Sequence, residues 1–384
     1  MIERAPNIRQ LAALAATVRH GSVSSAARAI NLSQPALTQA IAGLELSLGV
    51  SLFDRSPSGM TPTEPALLLA PRAQAAIEHI GSTRVTGTQL RAFLAVVRAG
   101  SYASAADITG LSPASLHRAV ADLSVALGQR LIDRRGKSLI LTPAGLRRAR
   151  SFGLAVAELR AGMSEVAAWL GQAGSRIVIG AMPLSRASWL PEAITRFRED
   201  HADVDIAVLE GSYAELAGPL RDGEIDMMLG ALRDELPADL SQEAVFEDRP
   251  ALVMRAGHPI MARADVARAM LDYPWLLPDR ATPLRRYWEA MLAALDLPVP
   301  HVGIECGSVM MIRQLLIAGD GLTLLSPDQV SVELDAGILA ALPPPVPVRR
   351  TIGIITRAGW RPTRAEAMLL DRLRESRPSD PVNS

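Results

Sequence analysis

The chain has 384 residues, too many for one ordinary domain, so its length predicts two or three domains. Hydrophobic residues (49%) and charged residues (21%) occur at the levels of a folded soluble protein, and the single cysteine, Cys306, excludes an internal disulfide framework. The net charge is zero, but residues 1–165 carry 18 basic and 10 acidic side chains, whereas residues 166–384 carry 22 and 30. This division predicts a basic module that meets a polyanion, followed by an acidic module with another role.

The N-terminal residues MIERAPNIRQ carry charges but lack the apolar core and small-residue cleavage site of a signal peptide. The longest apolar runs, such as PALLLAP at residues 65–71, are far too short to cross a bilayer. With only one cysteine, the composition also fits a reducing compartment. We therefore expect a cytoplasmic protein without a membrane partner.

Two segments of the N-terminal part resemble each other at an offset of 79 residues. Gly21 matches Gly100, and Leu37 matches Leu116. The pairs Thr61-Pro62 and Thr142-Pro143 match only if the second segment contains a two-residue insertion. We interpret the pattern as a tandem duplication, with copy 1 in residues 1–82 and copy 2 in residues 83–143.

Each copy predicts three helices followed by a β-wing. In copy 1 a short second helix covers residues 24–29, and the tight turn at 30–32 leads to a third helix capped by Ser33. Copy 2 shows the same order of helices and turn, with Ser112 as the cap. Residues 52–61 and 131–142 are predicted to form the two wings. Two short helices joined by a tight turn, the second with an exposed polar face, are typical of an all-α winged helix-turn-helix that binds DNA. The alternative is a pair of small helical bundles without a nucleic-acid partner.

The residues expected to contact double-stranded DNA lie at the start and on the outer face of each third helix, and in each wing. In copy 1 they are Ser33, Gln34, Pro35, Ala36, Thr38, Gln39, Arg55 and Ser58. In copy 2 they are Ser112, Ser115, His117, Arg118, Arg134, Arg135 and Lys137. We expect copy 1 to supply more of the sequence specificity and copy 2 more of the electrostatic affinity. The alternatives are a solvated surface loop for the basic run and, for copy 2 as a whole, a spacer or dimer module that does not bind DNA.

Copy 1 resembles the winged helix-turn-helix of LysR-type transcriptional regulators. The resemblance is carried by SQPALTQAI at residues 33–41, by Leu44-Glu45 and Leu48-Gly49, and by the LFDR that ends at Arg55. It continues through residues 176–376, which look like the family's effector-binding domain. The resemblance implies a regulator that is not an enzyme, has no cofactor, binds DNA and a small-molecule effector, and forms dimers or tetramers. The family normally has one DNA-binding unit, so the second copy is a departure.

The helices that leave the two copies are predicted to differ. In copy 1, Pro65 and Pro71 should break or kink the exit helix. In copy 2 one long helix is expected from residue 144 to 172, within a dimerisation and linker segment at 144–175. Its apolar residues recur in steps of four and three, as in a coiled-coil seam: Phe152, Val156, Leu159, Met163, Val166 and Leu170. Burial within the same chain is the alternative, and the resemblance favours a dimer contact. Copy 2 also has Ser124 where copy 1 has Glu45.

Beyond residue 175, strands alternate with helices, which predicts a parallel α/β sheet. Strands are expected at 176–181, 205–210 and 227–230, helices at 190–200 and 213–222, a second α/β unit at 250–334, and a final strand at 351–356 that returns to the first unit. Such a two-lobed α/β domain resembles the periplasmic-binding-protein fold, which binds its ligand between the lobes. The last residues, 377–384, are expected to form a disordered tail.

In α/β sheets, ligands bind near the carboxyl ends of strands and the N-termini of helices. This rule selects ten residues as effector contacts: Leu184, Ser185, Arg186, Gly211, Ser212, Tyr213, Thr282, Cys306, Gly307 and Ser308. Helix N-termini with hydroxyl groups suit an anionic effector, and Arg186 can pair with it. For each of these residues the alternative is an ordinary helix cap.

Parts of the sequence also suggest two other classes of protein, an enzyme and a solute-binding protein. Cys306 near His301 suggests a thiol nucleophile, but five residues along a strand do not place the two side chains in hydrogen-bond geometry, so we expect a thiol in the pocket or core. No metal-ligand cluster or glycine-rich phosphate loop is present in the sequence. A non-enzymatic solute-binding protein would explain residues 176–375 but not the basic helical sequence before them.

Overall fold

The computed structural model describes residues 7–56, 59–135, 138–172 and 174–376. The predicted tail at 377–384 lies outside these residues. The described residues form two compact units, the first up to residue 176 with 203–205 and 221–224, and the second from the other described residues. No helix in the described ranges is long and apolar enough to span a membrane.

The first unit contains the same series of elements twice. The first series is α1 (Ile8–His20), α2 (Val23–Ala29), α3 (Gln34–Leu48), β1 (Phe53–Ser56), β2 (Gly59–Pro62) and α4 (Glu64–Ile80). The second is α5 (Gly87–Ala99), α6 (Tyr102–Thr109), α7 (Pro113–Leu127), β3 (Ile132–Arg135), β4 (Ser138–Leu141) and α8 (Pro143–Trp169). Every element of the second series begins 79 residues after its counterpart. The strand pairs β1–β2 and β3–β4 are antiparallel and form the two predicted wings.

The register of the two series does not change at the wings, so the predicted two-residue insertion is wrong. Thr63, and not Thr61, occupies the position of Thr142. The Thr63 hydroxyl donates to the Ser51 carbonyl at 2.8 Å, and the Thr142 hydroxyl donates to the Arg130 carbonyl at 2.7 Å. The two Thr-Pro pairs are not equivalent, because Thr61-Pro62 lies in strand β2 and Thr142-Pro143 lies at the start of α8.

Helix α4 is continuous across both prolines that were predicted to break or kink it. Pro65 lies in the first turn, where a backbone N–H has no acceptor within the helix. Pro71 lies inside the helix, but it is exposed, whereas Leu69 and Ala73 on the other side are fully buried. Burial of that opposite face retains the helix despite the missing hydrogen bond.

The apolar seam of α8 packs largely inside the first unit, as in the alternative of burial within the same chain. Phe152 and Val166 are buried, and Val156, Leu159 and Leu170 pack against buried clusters of the same chain. The seam packs on α4 and on the cores of the two series. Apolar residues spaced four and three positions apart indicate a helix that pairs with other helices. This spacing does not show whether those helices belong to the same chain.

The second unit has two lobes, and the larger is built on a five-stranded sheet with the order β6-β5-β7-β14-β8. Its strands are β5 (Arg176–Ala181), β6 (Asp205–Glu210), β7 (Met227–Ala231), β8 (Leu240–Asp248) and β14 (Arg350–Arg357), and its helices are α9 (Trp189–Asp200), α10 (Tyr213–Arg221) and α15 (Arg364–Glu375). Strands β5 and β7 are parallel, whereas β14 is antiparallel to both β7 and β8. The sheet expected to be parallel is therefore mixed. The returning strand enters from the smaller lobe and runs against its neighbours.

The smaller lobe combines a three-stranded antiparallel sheet with a short parallel pair. The sheet has the order β12-β9-β13, and the pair is β10–β11. The strands are β9 (Ala251–Arg255), β10 (Leu276–Leu277), β11 (Ile304–Glu305), β12 (Thr323–Leu325) and β13 (Leu339–Leu342), and the helices are α11 (Val266–Ala269), α12 (Pro283–Ala294), α13 (Val309–Ala318) and α14 (Ser331–Asp335). Trp275 and Trp288 meet edge to face at the centre of its core, with ring centroids 5.3 Å apart.

Candidate nucleic-acid interface and ligand pocket

The third helix of each series begins with the predicted serine cap. The Ser33 hydroxyl accepts a hydrogen bond from the Ala36 N–H at 3.3 Å, and the Ser112 hydroxyl accepts one from the Ser115 N–H at 3.1 Å. A proline follows in the first turn of both helices. Helix starts of this kind offer N–H groups without a partner in the helix, which suit a phosphate.

The outer faces of α3 and α7 carry the predicted reading residues. Gln34 and Gln39 are exposed and Thr38 is half-buried, while Leu37 between them is fully buried in the core. At the positions of Thr38 and Gln39, helix α7 has His117 and Arg118, both exposed. The His117 ring lies 5.3 Å from the Tyr102 ring, so this side chain is supported by α6. The two helices thus present different chemistry at equivalent positions.

The predicted wing contacts are described only in part. Ser58 and Lys137 lie outside the described residues. The backbones of Arg55, Arg134 and Arg135 belong to strands β1 and β3, but their side chains lie outside the described part of the structure.

Glu45 connects the reading helix of copy 1 to its wing. Its Oε1 accepts hydrogen bonds from the N–H groups of Leu52 at 2.8 Å and Phe53 at 3.3 Å. In copy 2 the equivalent Ser124 donates to the Val120 carbonyl of its own helix at 2.9 Å. In the sequence, Glu45 is only part of the motif that carries the family resemblance. In the structure it is a positioning residue, which holds the wing relative to helix α3.

A cavity of about 580 Å³ lies within the second unit and is lined by residues of both lobes. Eight of the ten predicted effector contacts line it: Leu184, Arg186, Gly211, Ser212, Tyr213, Thr282, Cys306 and Gly307. Ser185 and Ser308 do not line it. Ser185 is fully buried and donates to the Met182 carbonyl at 2.8 Å, while Ser308 caps α13 by accepting from the Met311 N–H at 3.4 Å.

Two of the lining hydroxyl groups also act as ordinary helix caps. The Ser212 hydroxyl accepts a hydrogen bond from the Glu215 N–H at 3.4 Å. The Ser212 hydroxyl and N–H both donate to Glu215 Oε2 at 2.8 Å, and these bonds lower the pKa of Glu215. The Thr282 hydroxyl accepts from the Arg285 N–H at 3.4 Å and donates to the Asp279 carbonyl at 2.7 Å. Cys306 Sγ lies 3.8 Å from the Ser308 carbonyl. Because these groups already have partners, the attraction for an anion must come from elsewhere in the cavity.

Positive charge in the cavity comes from arginines, of which the sequence selected only Arg186. Arg186 pairs with Glu210. The guanidinium of Arg233 lies 4.4 Å from the centre of the Tyr213 ring, and burial lowers the pKa of Arg233. Its Nη1 donates to the Ala281 carbonyl at 3.5 Å. Arg233 thus connects residues of the two lobes across the cavity.

Arg350 lies deepest among these arginines and was missed by the sequence interpretation. Its side chain is 9% exposed and pairs through Nε with Asp248, which is 6% exposed. Within the described residues, its buried Nη2 has no hydrogen-bond partner. Arg350 is the first residue of strand β14, just before a mostly apolar sequence. A charged residue at this place is the sequence feature that could have identified it.

Comparisons with known proteins agree with this architecture. The family model described as "Bacterial regulatory helix-turn-helix protein, lysR family" matches residues 8–67 and 88–146, and "LysR substrate binding domain" matches residues 170–378. The chain is similar to the HTH-type transcriptional regulator GalR of Pseudomonas putida, with 30% identity over 385 residues that cover 96% of this chain and 97% of the relative. It is also similar to the HTH-type transcriptional regulator PcaQ of Agrobacterium fabrum, with 27% identity over 76% of this chain and 95% of the relative.

Two solved structures share the fold. A full-length variant of OxyR from Pseudomonas aeruginosa is 24% identical, with a TM-score of 0.56, over 76% of this chain and 98% of that chain. ArgP from Mycobacterium tuberculosis is 20% identical, with a TM-score of 0.58, over 75% of this chain and 96% of that chain. The two segments that match the helix-turn-helix model precede the segment that matches the substrate-binding model. The chain therefore belongs to the LysR family of bacterial transcription regulators, as a DNA-binding protein with an effector-binding domain.

Proposed function

We propose that residues 1–82 and 83–143 are tandem winged helix-turn-helix units and that both bind DNA. The observation that carries this is the constant offset of 79 residues from the start of α1 through the start of α8, with the same serine caps and wings. The alignment with GalR supports the two units, because it covers 96% of this chain and 97% of the relative and therefore includes both of them. Since promoter DNA is the partner, we place the protein in the cytoplasm, where the bacterial chromosome lies.

The two units contribute differently to DNA binding. Copy 1 reads bases through Gln34, Thr38 and Gln39, because amide and hydroxyl groups on an exposed helix face match base edges in the major groove. Copy 2 adds charge: residues 84–165 carry 12 basic and 5 acidic side chains, against 6 and 5 in residues 1–80. Phosphate contacts fix the position of a protein on DNA, and base contacts carry the sequence information.

This division is tested by DNase footprinting of the full-length protein. A Gln34→Ala/Gln39→Ala variant should lose the specific footprint and keep non-specific retardation of DNA in low salt. Leu46→Ala is a control on the same helix, since that side chain is 86% exposed and belongs to no proposed contact. A double variant that protects the same bases as wild type would contradict the role of copy 1.

We further propose that the cavity binds a small anionic effector, with the guanidinium of Arg350 as its main anchor. The supporting observation is the buried Nη2 group without a partner among the described residues, beside an ion pair that already uses Nε. An arginine held in this way offers its remaining N–H groups to a carboxylate. Tyr213 and Leu184 supply apolar contact area in the same cavity.

The effector proposal is tested by thermal unfolding of the full chain with a panel of aliphatic and aromatic carboxylates. At least one should raise the melting temperature of wild type, and Arg350→Gln should remove most of that shift. Arg349→Gln is the matched control, because Arg349 is 61% exposed and does not line the cavity. An Asp248→Asn/Arg350→Gln double variant checks that the loss does not come from a carboxylate left unpaired. Equal shifts for the Arg350→Gln and Arg349→Gln proteins would contradict the anchor.

A further inference from the structure

Helices α4 and α8 pack against each other in opposite directions. Leu69 and Arg72, in the first part and at the middle of α4, meet Gly162 in the last third of α8: an ideal Cβ on Gly162 would lie 3.0 Å from Arg72 Cβ and 2.8 Å from Leu69 Cδ1. At the end of α4, Arg148, near the start of α8, donates from Nη1 to the Ile80 carbonyl at 3.3 Å. The early part of each helix therefore meets the late part of the other, and the pair is antiparallel.

Each exit helix completes the core of the other copy. Val166 of α8 is buried in the core of copy 1, among residues of α1, α2, α3 and α4, and Leu170 packs against it. In return, Ala76 and Ile80 of α4 are buried in the core of copy 2, with Phe93 of α5. Exchange of this kind makes the two copies one folding unit, because neither core is complete without the other copy's helix.

Equivalent residues of the two helices lie in one buried cluster. With the constant offset of 79 residues, Ala76 of α4 corresponds to Ala155 of α8. Both are fully buried and belong to the same cluster. An antiparallel pair of equivalent helices that buries equivalent residues in one cluster has a local two-fold relationship between its halves, as in a symmetric dimer.

A buried charged cluster holds one half of the crossing. Arg72 has a side chain that is 6% exposed and lies 3.3 Å from both Glu158 and Glu165. Burial lowers the pKa of Arg72, but the hydrogen bonds and charges of Glu165 and Glu158 outweigh it, so the pKa is raised. The equivalent position in α8 is Ser151, so the two-fold relationship is approximate and the two ends of the crossing differ in sequence.

We propose that the two winged units form an internal pair, so that one chain presents α3 and α7 to two half-sites of the same DNA site. Helix-turn-helix proteins usually need two chains for this. Because α3 carries Thr38 and Gln39 where α7 carries His117 and Arg118, the two half-sites differ in sequence. Gln suits adenine and Arg suits guanine in the major groove, so the partner is a duplex with two inverted, unlike half-sites. The inference rests on the proposed function, that both units bind DNA.

Pairing within one chain is tested with cysteines at the crossing, in full-length protein carrying Cys306→Ser. Arg72→Cys and Gly162→Cys are combined in one chain, and they are also made in separate chains that are co-expressed. The Cβ separation of 3.0 Å needs only a small shift to reach the roughly 3.5 Å of a disulfide. The double variant should give an oxidised monomer that migrates faster than the reduced one, and the separate chains should give no linked dimer. A disulfide-linked dimer from the separate chains would overturn the internal pair.

The DNA partner is tested without any change in the core, by selecting binding sites for the wild-type protein from a random duplex library. Enriched sites should contain two unlike half-sites in inverted orientation, about one helical turn (roughly 34 Å) apart. Native mass spectrometry should count one chain for each pair of half-sites. Identical half-sites, or two chains for each pair, would overturn the inference.

Two single variants separate this inference from the proposed function. Gln39→Ala should relax base preference in one half-site, and Arg118→Ala in the other, each with about tenfold weaker binding. If Arg118→Ala changes nothing while the cysteines still link within one chain, copy 2 does not bind DNA and the proposed function fails. If both variants act and the cysteines link only between chains, the proposed function stands and the internal pair fails.

Discussion

The carboxylate of Glu45 on helix α3 accepts a hydrogen bond from the N–H of Leu52, the residue that precedes strand β1, at 2.8 Å. This bond fixes the wing of copy 1 relative to its reading helix. Copy 2 contains Ser124 in the same place, and that hydroxyl bonds to its own helix. The two copies therefore share the fold of the wing, but they do not share the hydrogen bond between the third helix and the wing.

Glu45→Ala should destabilise the first unit by about 1–2 kcal/mol, because two buried N–H groups lose a charged acceptor. Urea unfolding followed by circular dichroism measures the change. Ser124→Ala is the matched control and should change the free energy of unfolding by less than about 0.5 kcal/mol. Equal effects of the two substitutions would contradict the role assigned to Glu45.

Arg72→Met should destabilise the first unit by about 2–4 kcal/mol, because Glu158 and Glu165 are left without their cation in a mostly buried site. The triple variant Arg72→Met/Glu158→Gln/Glu165→Gln should recover most of that loss, since it contains no unpaired charge. Chemical denaturation of the three proteins measures both steps. A triple variant no more stable than the single one would show that the charges are not the cause.

Arg134→Ala/Lys137→Ala should weaken DNA binding at all sequences and reduce the slope of log K against log salt by about 2, if each side chain contacts a phosphate. Fluorescence anisotropy with a labelled duplex at several salt concentrations measures the slope. Arg130→Ala is the control, because Arg130 is 77% exposed and pairs with Asp133. An unchanged slope in the double variant would favour a solvated loop for this basic run.

Asp328 should make the second unit less stable as the pH rises. Burial raises the pKa of Asp328, the charge of Asp248 raises it further, and a hydrogen bond to Ser188 lowers it. A raised pKa in the folded state means that stability is fully present below the unfolded pKa and is lost as the pH rises through the folded pKa. Asp328→Asn should therefore gain stability relative to wild type at pH 7 and less at pH 4, measured by urea unfolding.

Asp335→Asn provides the comparison for that experiment, because Asp335 is an exposed carboxylate near the same segment. Its unfolding free energy should follow that of wild type at both pH values. If Asp328→Asn also follows wild type, the carboxyl group does not hold a raised pKa in the folded protein.

Local signals in the sequence determined the helix-turn-helix units, their caps and their wings. Serine before a proline-containing first turn and glycine after the last turn are chemical requirements of helix ends, so Ser33 and Ser112 can be read without tertiary information. The alternation of strands and helices likewise predicted the strands of the larger lobe, and eight of the ten selected residues line the cavity between the two lobes. The hydroxyl and glycine residues at helix starts were found because those positions follow from chain order.

Tertiary structure decided what those elements contact. The apolar spacing of α8 requires a helical partner, but the sequence contains no information on whether that partner is α4 of the same chain or a second chain. The charge of Arg350 in the cavity depends on a strand that returns from another lobe, and the direction of β14 is set by that long connection. The second copy itself was visible in the sequence as a repeat. That Ala76 and Ala155 lie in one buried cluster became visible only in the tertiary structure, because long-range packing joins residues that no local pattern links.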